Sequence, residues 1–354
     1  MKQKDIYGDF YNPTKILSYG KPMNISVGSR SIGKSTGFGI HLLKDFLKNK
    51  HQFIYVRRTE IELRNAAPFA FSNAIQIINQ YHHKLLIEDF RYEKNTYYIG
   101  EQACGYAIPL SQVEKFKSIP FNDVYWILYD EFIPKQGTRM LGSKDEPFLE
   151  YQLLMNLIIS CDREVGKAYA NRVRTILVAN ANGYFSPILQ KLHCDRYLTP
   201  TTKICAPKNM NWVVEQTVGV DATKDFENSN SYKLSDEDER NYSFEAGIDN
   251  DKRFIEKKPT EKINPLCNLI YKNDIMGMYY GATTGKLYIN YNKIKEGKTL
   301  ALTVDDHDIN YLLAEKKDFY MDLLKRSYQY GMVRFQTGKI KMQILTYLML
   351  TSKG

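Results

Sequence analysis

Cysteine is scarce in this chain and follows no pattern. The 5 residues, Cys104, Cys161, Cys194, Cys205 and Cys267, are odd in number and show no C-x-x-C spacing. Neither a disulfide framework nor a zinc site is indicated. Long apolar runs are missing too: nothing approaches the roughly 20 residues of a membrane span. Met1-Lys2-Gln3-Lys4-Asp5 lacks the apolar core of a secretory signal, so the expected location is a cytoplasm. Acidic excess is absent: 49 Lys and Arg against 40 Asp and Glu leave a net charge of +9. That balance admits a polyanionic partner without specifying one. Hydrophobic residues at 43% and charged residues at 25% mark a folded chain. A length of 354 residues allows two domains of ordinary size.

What the sequence does contain is Gly28-Ser29-Arg30-Ser31-Ile32-Gly33-Lys34-Ser35-Thr36. It satisfies the phosphate-binding pattern G-x-x-x-x-G-K-[ST] at every fixed position. Met23 to Val27 reads as a buried strand before it, and Lys34 to about Lys48 as a helix after it. Strand, glycine loop and helix together make a chance glycine loop a poor alternative. The loop N–H groups and the helix N-terminus would hold phosphates. Lys34 would reach the β- and γ-phosphates of ATP, and the Ser35 hydroxyl would ligate Mg²⁺.

Val124 to Tyr129 is an apolar strand ending in Asp130-Glu131. After a P-loop, the first acid would hold Mg²⁺ and the second would orient or deprotonate the attacking water. An acidic helix cap is the plainer alternative. The pair points to the ATPases with a catalytic glutamate beside the metal-binding acid, and no N-K-x-D guanine-reading motif is present. A third strand, Val173 to Ala179, ends at Asn180, either a turn residue or a polar sensor of the γ-phosphate. Gln52 to Val56 runs into Arg57-Arg58 at the ligand-binding edge of an open α/β sheet. These arginines couple nucleotide state to movement, touch DNA, or form a solvated basic turn. An arginine from a neighbouring subunit would complete hydrolysis. Arg163, after the apolar helix Phe148 to Ile159, is the leading candidate, with Arg172 and Arg174 as competitors.

Composition changes near residue 217. Residues 218–256 are polar and read as a linker or lid with short helices, or a plain tether. The segment 257–354 opens with three hairpin-connected strands, Cys267 to Tyr271, Met276 to Gly281 and Leu287 to Tyr291. A strand from Leu300 to Val304, a helix from Ile309 to Tyr328, a strand at Val333 to Phe335 and a helix from Lys339 to Thr351 follow. This order suggests an RNase H-like fold. Two-metal cleavage needs converging carboxylates. The first strand has none, and Asp305, Asp306 and Asp308 read as a helix N-cap cluster. A degenerate nuclease is therefore favoured over an active one. The expected architecture is a P-loop α/β ATPase domain of catalytic-glutamate (ASCE) type with a mostly parallel sheet (1–217), a linker (218–256) and a degenerate RNase H-like domain (257–354).

The chain resembles the double-stranded DNA packaging ATPases of small podophages, which are related to large terminase ATPases. The resemblance runs through Phe10-Tyr11-Asn12-Pro13, Ile16 to Tyr19, the P-loop, Gln52 to Arg58, Ala107 to Ser111, Asp130 to Ile133, and Arg172 through Ala181. It implies a homopentameric ring at the portal of an empty procapsid, driving viral DNA inward with ATP and Mg²⁺. It implies a portal partner, a possible structural packaging RNA, and residence in host cytoplasm and transiently at the portal vertex, not in the mature virion. It puts Arg163 at the trans-acting finger position, Lys117 at a second trans-acting basic position and Tyr11 near the adenine. Large terminases carry an active nuclease after their ATPase, which keeps endonuclease activity as a rival. A scaffold that merely senses nucleotide is the second rival. For DNA contact, Lys135 and Arg139 after Glu131 are pore-lining candidates. Lys325, Arg326, Lys339 and Lys341 give the last domain its basic character.

Overall fold

The computed structural model describes residues 7, 10–28, 32–81, 85–116, 121–133, 141–142, 146, 148–163, 172–180, 186–194, 197, 203–217, 233–234, 254–271, 273–315 and 318–351. They form two compact units, one with the segments up to residue 234 and one with those from residue 254. Nearly all of the expected linker, 218–256, lies outside the described residues.

The first unit is built on a nine-stranded sheet. Its middle is parallel. β1 (Met23–Gly28) lies between β7 (Arg174–Asn180) and β9 (Trp212–Thr217). β6 (Val124–Asp130) flanks β7 on the other side, followed by β2 (Gln52–Arg57) and β5 (Gln102–Pro109). Antiparallel strands finish both edges: β4 (Thr96–Ile99) and β3 (Phe90–Glu93) beyond β5, and β8 (Ile204–Cys205) beyond β9. The central strands are near-continuous apolar runs because both of their faces are covered.

On one face, α2 (Lys34–Asn49) and α4 (Ser72–Tyr81) bring Phe38, Leu42, Leu43, Ile77 and Ile78 onto Phe53, Tyr55, Leu128 and Val178. On the other, α5 (Leu149–Asp162) and α6 (Pro187–Lys191) bring Leu154, Leu157, Ile188 and Leu189 onto Ile25, Ile54, Ile127 and Leu177. Each fully buried leucine contributes ~2 kcal/mol. The short helices α1 (Thr14–Leu17) and α3 (Glu60–Ala66) complete the unit, the latter opened by a capping box between Thr59 and Glu62. The mostly parallel α/β expectation holds. The neighbouring ends of β6 and β7 matter most here, because they share one cleft with the start of α2.

The second unit has a six-stranded sheet. β10 (Ile263–Tyr271), β11 (Asp274–Gly281) and β12 (Leu287–Asn290) form an antiparallel meander. β13 (Thr299–Ala301) joins β10 in parallel, and β14 (Leu312–Leu313) joins β13. Helix α7 (Phe319–Gln329) leads to β15 (Val333–Phe335), parallel to β12, and α8 (Gly338–Thr351) closes the unit. Met321, Leu324, Ile340 and Ile344 from the helices pack on Leu269, Met278 and Ile289. Strands one to five thus run in the order 3-2-1-4-5, with the second antiparallel, and the sixth lies beside the third at the opposite edge from strands four and five.

Two expectations in this unit are corrected. The helix placed from Ile309 starts only at Phe319, where the Asp318 side chain accepts the Tyr320 N–H at 2.9 Å. Leu312 and Leu313 instead extend the sheet. The aspartates before them do not cap that helix. Asp308 Oδ1 accepts the N–H groups of Asn310 (2.6 Å) and Tyr311 (3.1 Å) in a local turn. Asp306 accepts the Asn273 N–H at 2.9 Å and the Thr303 hydroxyl.

Candidate active site

Helix α2 starts where the sequence places the end of the glycine loop. Gly33 is its N-cap with φ 77°, a left-handed conformation that strains any residue with a Cβ. A Cβ there would also lie 2.5 Å from the Phe10 ring. Next, Lys34 is buried at 5% exposure. Burial pushes its ammonium down to about 8, against the opposing charges of Asp130 and Glu215. Segment 10–13 packs against Ile32, Gly33 and the start of α2. Tyr11 N–H donates to Ile32 O at 3.0 Å, and its ring packs 5.4 Å from Phe38. Its hydroxyl donates to Glu215, which also accepts the Ser26 hydroxyl at 2.7 Å. Burial first, then these hydrogen bonds in opposition, leaves the Glu215 carboxyl above its ordinary value.

The start of α2 and the ends of β6 and β7 open onto one cleft of about 260 Å³, lined by Lys34, Ser35, Asp130, Glu131 and Asn180 among others. Ser35 Oγ donates to Asp130 Oδ1 at 2.9 Å. A hydroxyl and a carboxylate side by side are hard oxygen donors suited to Mg²⁺. Glu131 follows with φ 56°, an uncommon conformation for a residue with a side chain. Arg57 Nη1 meets Glu131 Oε2 at 2.9 Å, and Arg57 Nη2 lies 3.9 Å from Asp130 Oδ2. Arg57 Nε donates to the Tyr55 hydroxyl at 2.9 Å, and that hydroxyl reaches Asp130 Oδ2 at 3.3 Å. Burial works against the Arg57 charge, but Asp130, Tyr55 and Glu131 outweigh it and raise its pKa. The guanidinium stays charged and holds the glutamate.

With this geometry, residues 5–351 match the family described as Podovirus DNA encapsidation protein (Gp16). The chain belongs to that family. It is 27% identical over 345 residues to the DNA packaging protein of Bacillus phage phi29, covering 94% of this chain and 95% of that one. The DNA packaging protein of Bacillus phage B103 is 26% identical over 332 residues, 90% of this chain and 94% of that one. Among solved structures, a chain of the bacteriophage Phi-29 viral genome packaging motor assembly superposes with a TM-score of 0.61 at 23% identity, covering 96% of this chain and 100% of that one. A chain of the Phi-28 gp11 DNA packaging motor gives 0.61 at 16%, covering 98% and 99%. These superpositions show the shared fold.

Within this encapsidation fold, the other residues singled out in the sequence separate clearly. Arg58 is not available to DNA. It is 2% exposed, its Nε lies 3.1 Å from Glu150 Oε2, and its Nη2 donates to Phe132 O at 2.7 Å. Glu150 is itself fully buried and accepts the Tyr129 hydroxyl at 2.6 Å. Arg57 likewise faces the cleft carboxylates rather than a DNA-binding surface. Tyr11 points its hydroxyl at Glu215, so its place is in the support of the loop.

Arg172 donates to the carbonyls of Val124, Phe121 and Cys161 and is a clamp, which weakens it as a finger candidate. Arg163 is exposed, at the extended C-cap of α5. The preceding Asp162 accepts the Arg172 N–H at 2.9 Å, which ties this corner to the start of β7. Arg163 therefore lies at the edge of the sheet opposite the cleft, a strand length of ~20 Å away. Ser29, Arg30, Ser31, Lys117, Lys135 and Arg139 lie outside the described residues.

Sequence reasoning missed Tyr55 and Glu215. Tyr55 stands two residues before Arg57, and period-two alternation puts both side chains on one face. That signal was present. Glu215 had no local signal, since its partners come from residues about 200 positions earlier.

Proposed function

We propose that the chain, a DNA packaging protein by family, acts as the ATP-hydrolysing subunit of a homomeric ring motor that drives viral double-stranded DNA into a preformed procapsid. The observation that carries this reading is the Ser35–Asp130 contact at the mouth of the P-loop, with Glu131 and Asn180 lining the same cleft. ATP phosphates would rest on the loop N–H groups and Lys34. Ser35 and Asp130 would hold Mg²⁺, which neutralises phosphate charge when bound. Glu131 orients the attacking water, and Asn180 contacts the γ-phosphate or that water.

The Arg57 grip on Glu131 acts as a latch. While it holds, the glutamate is turned toward Arg57 and hydrolysis is slow. Arg163 is too far from its own cleft to serve it and suits a neighbour's site. Lys117 would act beside it. Lys135 and Arg139 follow Glu131 in sequence and are assigned to the DNA-gripping loop.

Double-stranded DNA, the portal and a structural packaging RNA are the partners in this reading. A pentameric ring in host cytoplasm, docking transiently on the procapsid portal and absent from the mature virion, completes it. The second unit acts through contact rather than cleavage. Asn268 occupies its first strand, with its amide donating to Ile294 O at 2.9 Å. Asp274 is engaged by Lys339 at 2.6 Å and Gln343 at 2.7 Å.

The test is a mixing titration of Glu131→Gln with Arg163→Ala subunits. Each variant alone is expected to be nearly inactive. Mixtures regain turnover, because some sites combine an intact glutamate with a neighbour's intact arginine. No recovery at any ratio sinks the shared site.

A further inference from the structure

The hydrogen bonds around Asp130 form an unbroken chain. Ser35 Oγ donates to Asp130 Oδ1 at 2.9 Å, the Tyr55 hydroxyl donates to Asp130 Oδ2 at 3.3 Å, Arg57 Nε donates to the Tyr55 oxygen at 2.9 Å, and Arg57 Nη1 holds Glu131 Oε2 at 2.9 Å. Tyr55 is the middle link. It is 2% exposed, and its ring packs edge-on against Phe71 at 5.9 Å. The phenol thus has no freedom to leave the chain. We propose that Tyr55 is a positioning residue that fixes Arg57 in its grip on Glu131 and ties that grip to the Asp130 carboxylate. The proposal rests on the latch reading above.

A phenol has a single proton. Because Tyr55 accepts from Arg57, its own proton is free for Asp130. Donation to an anion makes the phenol oxygen a better acceptor, so the two bonds strengthen each other. Arg57 is anchored at Nε by a neutral, rigid group on its own strand. Its two Nη groups are left to face the carboxylates. Without the phenol, Nε faces a site with no replacement acceptor supplied by Phe, and the guanidinium can swing on its long side chain. A glutamate in a left-handed turn, held at one oxygen, follows it.

The experiment compares Tyr55→Phe, Arg57→Gln and the double variant in the full chain. Phenylalanine keeps the packed ring, so the fold is retained. The first readout is exchange of arginine Nε–H protons by NMR, with Arg58, bound to Glu150, as the internal control. The second is ATP turnover at saturating protein, with and without double-stranded DNA. In Tyr55→Phe the Arg57 Nε–H is expected to exchange faster while that of Arg58 stays protected. DNA-free turnover is expected to rise about five-fold, the equivalent of one net hydrogen bond of ~1 kcal/mol, and DNA stimulation to fall accordingly. Adding Tyr55→Phe to Arg57→Gln changes nothing further. Unchanged Arg57 exchange in Tyr55→Phe, or effects of the two substitutions that multiply, overturns the role given to Tyr55. If Arg57→Gln raises DNA-free turnover and Tyr55→Phe does not, the tyrosine's role falls and the latch stands. If Arg57→Gln itself leaves turnover unchanged, the latch falls and takes the proposal with it.

Discussion

Replacing Arg58 by methionine should destabilise the first unit and leave its contact with DNA unchanged. The guanidinium is 2% exposed and lies 3.1 Å from a carboxylate, Glu150, that is fully buried. Methionine keeps most of the volume and removes the charge. Glu150 is then left with the Tyr129 hydroxyl at 2.6 Å, and Phe132 O loses its 2.7 Å donor. Breaking one side of a buried pair costs ~3–5 kcal/mol. For a unit of this size each kcal/mol lowers the melting temperature by roughly 2–4 °C, so a fall of about 10 °C is expected. The double variant Arg58→Met, Glu150→Leu removes the stranded charge and leaves the Tyr129 hydroxyl and Phe132 O without these partners, together ~1–2 kcal/mol. More than half of the lost stability should return. Scanning calorimetry or intrinsic fluorescence melts measure both. A double variant that melts as low as Arg58→Met would refute the reasoning. So would a single variant with unchanged stability whose DNA affinity loses part of its salt dependence, since that marks a phosphate contact.

Other perturbations test other parts of the fold. Gly37→Ala would set a Cβ 2.0 Å from Tyr11 O, so the segment under the P-loop must shift. A stability loss of ~1–3 kcal/mol is expected, read from denaturant melts, and an unchanged midpoint would mean that Tyr11 does not brace the loop. His41 packs edge-on against Trp126 at 4.8 Å, and its Nε2 finds no partner among the described residues. Burial, partly opposed by Asp45, pushes its pKa down to about 4 from 6.5. The folded chain then keeps His41 neutral where the unfolded chain binds a proton, so stability declines as pH falls from 6.5 toward 4. The loss attributable to this residue reaches about 3 kcal/mol, and His41→Phe should flatten that slope in stability against pH. A slope that persists in the variant would assign the acid sensitivity elsewhere.

The nucleotide-site expectations rested on local patterns, and local patterns are what a sequence displays. A strand, a glycine loop with a fixed lysine and a helix are contiguous, so Gly33, Lys34 and Ser35 could be placed without any tertiary information. Asp130 and Glu131 were legible because an apolar run ends there in two acids. Strand Val333 to Phe335 and the helix after it were read to within a residue, because their apolar periodicity is clean. The helix expected at Ile309 failed for a physical reason. Its apolar residues, Leu312 and Leu313, suit a short edge strand as well as a helical face, and the capping aspartate turned out to be Asp318. Arg57 and Arg58 were adjacent basic residues with no way to tell them apart. Alternation along β2 and its extension sends one into the cleft, against Glu131, and the other into a buried pair with Glu150, 92 positions away. Glu215 reaches Tyr11 across 204 positions. The sequence by itself determined the strand Met23–Gly28, the helix that begins at Lys34 and the two acids at the end of an apolar run, because these are carried by neighbours in the chain. Only the tertiary structure decided which charges meet, because burial makes an ionised side chain depend on a partner that the sheet order, not the sequence spacing, supplies.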